Sequence, residues 1–369
     1  SRKNIEVTLV LPDYPEEGKK GNVKIISAST IKVRKIKSIL MPYLTSDSYS
    51  ETRQKSSSKI YGKTLFQEVN RYAEAAKKIA MEEDFDIIHC HDWMTFKAGI
   101  NAKKIKKKPM VVHIHATEFD RTGGNGMNDY VYKIEKEGMD FADSIAAVSN
   151  YTKNKIMANY GIPSGKINVI HNAVEFEHRI GNKSFGIKKG HKVVLFLGRL
   201  TLQKGHDYFI YAAKKVLEHE KDAIFVIAGN GDMEHFIINK VAEMGIADKV
   251  LFSGFLQGED LEMAYKMADV YVMTSVSEPF GITPLEAMSN NVPVIMSRNS
   301  GVSEVIRHCL LVDFWDIEDI SNKIISVLRY SPLHDSLSEN GNSEIRKMSW
   351  DTPAQKCIDV YNKVMACAA

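Results

Sequence analysis

Val193-Val194-Leu195-Phe196-Leu197-Gly198-Arg199-Leu200-Thr201-Leu202-Gln203-Lys204-Gly205 decides the fold class, because an unbroken apolar run stops at a glycine and becomes a short loop carrying two cations. A strand with no polar alternation has both faces covered, which places it inside a parallel sheet. Runs of the same kind follow at Ile224 to Ala228, Val250 to Phe252, Val270 to Met273, Val292 to Met296 and Leu310 to Val312. An earlier set comprises Ile5 to Leu11, Val23 to Ile26, Ile87 to Cys90, Met110 to Ile114, Ile145 to Val148 and Ile167 to Ile170. Helical patterns separate nearly all of them. Two such sets predict an α/β chain of two doubly wound, Rossmann-like domains.

The chain has 369 residues, more than one hydrophobic core normally serves. The division falls between Asn172 and Lys192, where Glu175 to Gly190 is polar and contains Gly181, Gly186 and Gly190, the composition of a linker. The expected domains are 1–173 and 174–350. Within 351–369, Ala354, Cys357, Ile358, Tyr361, Val364 and Met365 recur at helical spacing, which predicts a last helix packing back on the first domain. Ser46 to Ser58 is Ser-rich and charged and reads as an exposed loop.

With 49 basic and 46 acidic side chains, a formal charge of +3 and 44% hydrophobic residues, the composition excludes a disordered chain and a histone-like polycation. The four cysteines Cys90, Cys309, Cys357 and Cys367 form no C-x-x-C pair, so neither a zinc knuckle nor a disulfide framework is expected. A reducing cytoplasm suits them. No apolar stretch approaches the roughly 20 residues of a membrane span. Lys103, Lys104, Lys106, Lys107 and Lys108 read as a solvated helix end favoured by the helix dipole, with a peripheral membrane contact as the minor reading. Nucleic acid is not an expected partner, since the net charge is small and no aromatic residues interleave with the lysines.

Ligands of doubly wound sheets bind beyond the C-terminal strand ends, so the loops after the strands hold the candidate site. Arg199 and Lys204, five residues apart, have the charge to hold a diphosphate without metal. In Ser277-Glu278-Pro279-Phe280-Gly281-Ile282-Thr283-Pro284-Leu285-Glu286, two carboxylates flank a Pro-Gly loop that opens a helix. Thr283, Pro284 and Glu286 have the spacing of a capping box, which is the structural reading of Glu286. The loop itself suits a phosphate beside sugar hydroxyls. In the first half, His89-Cys90-His91-Asp92-Trp93 and His113-Ile114-His115 each carry a strand into a polar tip.

These residues resemble the retaining glycosyltransferases of GT-B fold, the glycosyl transferases group 1 with glycogen and starch synthases among them. The resemblance rests on Glu278 and Glu286 with Pro279-Phe280-Gly281 between them, on the Gly198-Arg199 to Lys204-Gly205 loop, and on Gly229-Asn230-Gly231-Asp232. It implies two Rossmann-like domains facing across a cleft. It also implies transfer of a hexose from a nucleotide-diphosphate sugar to a glycan or small-molecule acceptor, with no metal and no cofactor required. Arg199 and Lys204 then hold the diphosphate, Glu286 the ribose, and Glu278 the transferred sugar. Phe280 and the backbone of Gly281, Ile282 and Thr283 meet the phosphate or sugar, while Gly254, Phe255 and Leu256 line the base pocket. His115 faces the transferred sugar and Asp92 the sugar or acceptor. His91-Asp92-Trp93 is closest to the glycogen and starch synthases and favours glucose, with UDP- or ADP-glucose as donor.

The resemblance further implies a strand and Gly-rich loop ahead of Ile5 to Leu11, so one strand–helix unit of roughly 30 to 40 residues is expected to be missing from the first sheet. Ala173 and Glu175 stand where the family has Gly and Asp at the domain junction. Two other classes remain as alternatives. A metal-dependent hydrolase would use the His-x-His pairs, whose alternate residues share one face of a strand, but no further ligand spacing completes the set. A non-catalytic nucleotide-sugar-binding protein would keep the donor loops alone. His113 is expected deeper in its strand as a hydrogen-bonded core residue. Asp84-Phe85-Asp86 reads as an ordinary strand entrance, and Glu234 breaks the dinucleotide fingerprint begun by Gly229 and Gly231.

Overall fold

The computed structural model of the chain describes residues 5–13, 30–41, 44–55, 61–124, 126–174 and 190–368. In the first half, β1 (Glu6–Asp13) pairs in parallel with β2 (Thr30–Lys37). A separate parallel sheet runs β3 (Ile88–His91), β4 (Met110–Ile114), β5 (Ser144–Ala147) and β6 (Ile167–Val169) in that order. The expected strand at Val23 to Ile26 lies outside the described residues. β2 was not foreseen because its Ile31, Val33 and Ile36 are interrupted by Lys32, Arg34 and Lys35, the mixed pattern of an edge strand rather than an interior one. Two of its charges, Lys32 and Arg34, pair with Glu83, and Arg34 also pairs with Glu82.

Ser46 to Lys55, expected as loop, is helical. Thr45 and Ser48 exchange hydrogen bonds at its start, the Ser48 N–H donating to Thr45 Oγ1 at 3.2 Å and the Thr45 N–H to Ser48 Oγ at 2.9 Å. Its anchor is the fully buried Tyr49, whose hydroxyl donates to the Gly62 carbonyl at 2.7 Å. A single aromatic supplies the burial that a Ser-rich composition hides. Residues 56–58 of that stretch are not among those described.

The first half's strands thus form two pieces, where a single sheet one strand short was expected. Among the described residues β1 and β3 share no ladder, and between them lies a cavity of about 1810 Å³. Ile5 to Pro12 and Asp84 to Thr95 line it, Tyr72 and Ile79 reach it from the helix Leu65–Glu82, and Tyr361 and Met365 reach it from the last helix, Asp351–Ala368. That last helix also packs Val360 and Val364 against Val111, Ala146 and Ile170 of the first half.

The second half forms a six-stranded parallel sheet from β7 (Lys192–Leu197), β8 (Ala223–Ala228), β9 (Val250–Gly254), β10 (Val270–Met273), β11 (Val294–Ser297) and β12 (Leu310–Val312), ordered β12-β11-β10-β7-β8-β9. Every residue of β8, β10 and β11 is buried, as continuous apolar strands require. Helix His206–His219 covers one face through Phe209, Ile210, Ala213 and Val216. The chain fills the sheet outward from β7 in one direction, then returns to β7 and fills the other. The order therefore reverses between β7 and β10, and the crevice of a doubly wound sheet opens there.

The halves meet around Ser277-Glu278-Pro279. Asp120 accepts hydrogen bonds from Ser277 Oγ at 2.6 Å and Lys155 Nζ at 2.8 Å, and Lys155 also donates to Ser277 Oγ at 2.7 Å. Ser149 Oγ donates to the Pro279 carbonyl at 2.5 Å. Glu304 returns the contact by accepting from the N–H groups of Asn150 and Tyr151 at 2.8 and 2.7 Å, at the start of helix Asn150–Tyr160, and from His171 Nε2 at 2.8 Å. A carboxylate at a helix N-terminus is favoured by the dipole.

Burial pushes the Asp120 carboxyl upward, but Lys155 and the hydrogen bonds from Ser277 and Thr117 outweigh it and hold the pKa below its ordinary value. Glu304 is held low in the same way, its desolvation outweighed by His171 and the Asn150 and Tyr151 amides. Glu304 loses all of these partners when the contact opens and then binds more protons, so it supports closure above the ordinary carboxylate range and loses that support as the pH falls below about 4, whereas Asp120 keeps Lys155 and Thr117 within its own half. We therefore expect the radius of gyration in small-angle scattering to stay constant from pH 6 to pH 4 and to rise on further acidification to pH 3, with the Glu304→Gln chain already expanded at pH 6. An unchanged radius in both would remove Glu304 as the clasp.

Candidate active site

The loops that follow β7 and β10 flank the point of strand-order reversal, and they carry the two cations and the first carboxylate of the sequence reading. Lys204 Nζ donates to Glu278 Oε2 at 2.5 Å across that point. Glu278 is buried, and Ser275 Oγ donates to the same oxygen at 3.1 Å. A buried carboxylate is stable only when paired and hydrogen-bonded, so Lys204 and Glu278 hold each other in place.

Close backbone contact brings the neighbouring loops to the same rim. The Leu200 N–H donates to the Asn230 carbonyl at 3.0 Å, and the Met233 N–H to the Leu200 carbonyl at 3.0 Å. A Cβ on Gly231 would lie 2.3 Å from the Leu200 oxygen, so only glycine lets the loops after β7 and β8 touch. Gly281, at φ +97°, turns the chain beside Glu278, where a Cβ would meet Glu278 Cγ at 3.0 Å.

Thr283 and Glu286 do not form the expected capping box. Ile282 is the residue that precedes helix Thr283–Ser289, and no side chain caps it. Thr283 Oγ1 instead hydrogen-bonds Tyr271 Oη at 2.7 Å, and Tyr265 Oη donates to Glu286 Oε2 at 2.8 Å. Two buried tyrosines, far off in sequence, compete successfully for the groups that local spacing assigned to each other. Burial raises the Glu286 carboxyl, while the Tyr265 hydrogen bond partly offsets it.

Phe280 is buried within the second domain's core and lies near His171, with ring centroids 6.2 Å apart, so its side chain belongs to the domain junction. At the end of β9, Gly254 takes φ +70° and Phe255 is 68% exposed, presenting an aromatic ring to solvent, with Leu256 half-buried beside it.

In the first half, Asp92 and His115 sit at the adjacent tips of β3 and β4. Asp92, in the left-handed region at φ 55°, accepts the His115 N–H at 2.8 Å and the Ala116 N–H at 3.4 Å. Its carboxylate thereby fixes the backbone that carries His115. His115 Nε2 lies 2.9 Å from His91 Nδ1. His113 is buried as expected, but neither of its ring nitrogens has a hydrogen-bond partner, which corrects the reading of a hydrogen-bonded core residue.

Asp92, His115, Arg121, Arg199 and Asp232 all line the cavity between β1 and β3, so that space joins the first-half strand tips to the loop after β7. Lys204, Glu278, Gly281 and Glu286 do not line it. Sequence reading missed Asp120, Ser149, Lys155 and Glu304, which hold the two sides of the site together. Each lies more than 100 residues from its partner across the cleft, and no local pattern marks them.

The family Glycosyl transferases group 1 matches residues 179–344, and Glycosyltransferase Family 4 matches residues 1–178. An uncharacterized glycosyltransferase of Methanocaldococcus jannaschii is 35% identical over 311 residues, which cover 79% of each chain. Mannosylfructose-phosphate synthase of Agrobacterium fabrum is 25% identical over 80% of this chain and 72% of its own. Anabaena HepE in complex with UDP-glucose superposes with a TM-score of 0.71 at 16% identity, covering 96% of this chain and 99% of that one, a likeness of fold. Among the described residues no helix is long and apolar enough to cross a membrane. With two parallel-sheet domains meeting at loops that carry the family's motif residues, the chain belongs to the group 1 glycosyltransferases and has their GT-B fold.

Proposed function

We propose that the protein transfers a hexose, glucose in our reading, from UDP- or ADP-glucose to a glycan or small-molecule acceptor with retention at the anomeric carbon. The observation that carries this reading is the Lys204–Glu278 pair straddling the reversal between β7 and β10. Lys204 and Arg199 receive the diphosphate there, and Glu278 meets the sugar as Lys204 shifts part of its charge to the phosphate. Glu286, oriented by Tyr265 rather than by its own helix, accepts from the ribose hydroxyls. The backbone of Gly281, Ile282 and Thr283 borders the sugar and phosphate, and the base lies along Gly254, Phe255 and Leu256.

In the reaction the bond between the anomeric carbon and the phosphate oxygen breaks, its electron pair staying on the diphosphate. The acceptor oxygen bonds to the anomeric carbon on the face the phosphate leaves, and the acceptor proton passes to the departing phosphate oxygen. Negative charge grows on the diphosphate, so cations already fixed before reaction lower the barrier most. His115 and Asp92 position the sugar and acceptor on the opposite side of the cleft. No step calls for a metal or a cofactor. The clasp through Asp120, Lys155 and Glu304 keeps water from competing with the acceptor.

Lys204→Ala is expected to cut nucleotide release from UDP- or ADP-glucose by roughly 10²- to 10³-fold while circular dichroism stays unchanged. Undiminished turnover would sink the assignment. Tight donor binding by calorimetry with no turnover across a panel of acceptors would instead favour a non-catalytic nucleotide-sugar-binding protein. Glu286→Ala should raise the donor KM by about tenfold or more, the loss of a charge-assisted hydrogen bond, with a smaller change in kcat. An unaltered KM would return Glu286 to a purely structural role.

A further inference from the structure

We infer that His89, His91 and His113 form a binding site for a borderline divalent transition-metal ion, with zinc as its representative. One ring nitrogen from each lies within 4.8 Å of the other two. The three come together because β3 presents His89 and His91 on one face, and the register pairs His91 with His113 on β4. The rings stack, with centroids 4.5 Å apart for His89 and His91 and 5.4 Å apart for His91 and His113. Zinc–nitrogen bonds of about 2.0–2.1 Å need the nitrogens closer together than 4.8 Å, so binding requires the rings to rotate inward.

Hydrogen bonding sets each ring for ligation. The Tyr361 hydroxyl engages His89 Nδ1, which leaves Nε2 as the ligand atom, and that Nε2 is buried without a partner. His91 Nδ1 is engaged by His115 Nε2 at 2.9 Å, which likewise leaves its Nε2 for a metal. His113 has both nitrogens buried and unpartnered. A ligating imidazole that spends its other nitrogen on a neighbouring group is the usual outer arrangement of a metal site.

His89 and His91 line the cavity between β1 and β3, which gives an ion a route in and leaves the fourth position to water. Three imidazoles select zinc, cobalt, nickel or copper over magnesium and calcium, which take oxygen ligands. Bound metal would fasten β3 to β4 and, through Tyr361, to the last helix.

Tag-free, metal-stripped protein titrated with cobalt(II) tests the site. We expect visible d–d absorption saturating at one equivalent per chain, displaced by zinc and untouched by millimolar magnesium. His113→Phe should abolish the signal, His115→Gln should keep it, and Tyr361→Phe should weaken affinity by about 10- to 100-fold. Absence of the absorption from the wild-type chain, or equal binding by the wild type and a folded His113→Phe variant, would overturn the proposal. If His113→Phe does not fold, Tyr361→Phe decides the matter, since unchanged cobalt affinity in that variant would overturn it as well.

Discussion

The ion pair between Lys204 and Glu278 closes the point where the second sheet reverses its strand order. Parallel strands leave their C-terminal ends side by side, and at the reversal the two adjacent helices leave on opposite faces, so a crevice opens that nothing in the sheet fills. A lysine from one loop and a carboxylate from the other bridge it. Because Glu278 is buried, each charge needs the other, and the loops that carry them are held within a hydrogen bond's length. The Gly198-to-Gly205 and Ser275-to-Gly281 loops are therefore tied to each other by this pair.

The same segment fixes the relation between the domains. Ser277 and Pro279, on either side of Glu278, are the groups that Asp120, Lys155 and Ser149 reach from the first half. A movement of one domain against the other pulls directly on the backbone around the paired carboxylate. Closure and site geometry are thus mechanically joined, which suits an enzyme that must exclude water while two substrates meet. The first half contributes strand tips, Asp92 and His115, whose placement rests on hydrogen bonds that the Asp92 carboxylate accepts from the backbone N–H groups of His115 and Ala116 just after β4.

Much of the architecture was legible because interior parallel strands advertise themselves. β7, β8, β10 and β11 are apolar without interruption, and each was expected within about two residues of its observed limits. Legibility failed where burial depends on few residues. β2 mixes charges with its apolar positions, having one neighbour among the described residues, and the helix from Ser46 to Lys55 is held by one buried tyrosine that no periodicity announces. Thr283 and Glu286 failed for the opposite reason: the local pattern was clear, but Tyr271 and Tyr265 offered stronger, desolvated partners.

By itself the sequence determined the fold class, the identity of the strand-end loops and the types of residue they present, since these follow from local apolar runs and from where they break. Only the tertiary structure decided that Lys204 pairs with Glu278, that Glu286 is held by Tyr265, and that Asp120 and Glu304 clasp the cleft. It alone brought His89, His91 and His113 into one cluster, through the pairing of β3 with β4. The physical reason is that side-chain partners across a cleft or between strands are chosen by three-dimensional proximity and by the cost of burying an unpaired polar group, neither of which is written in neighbouring residues.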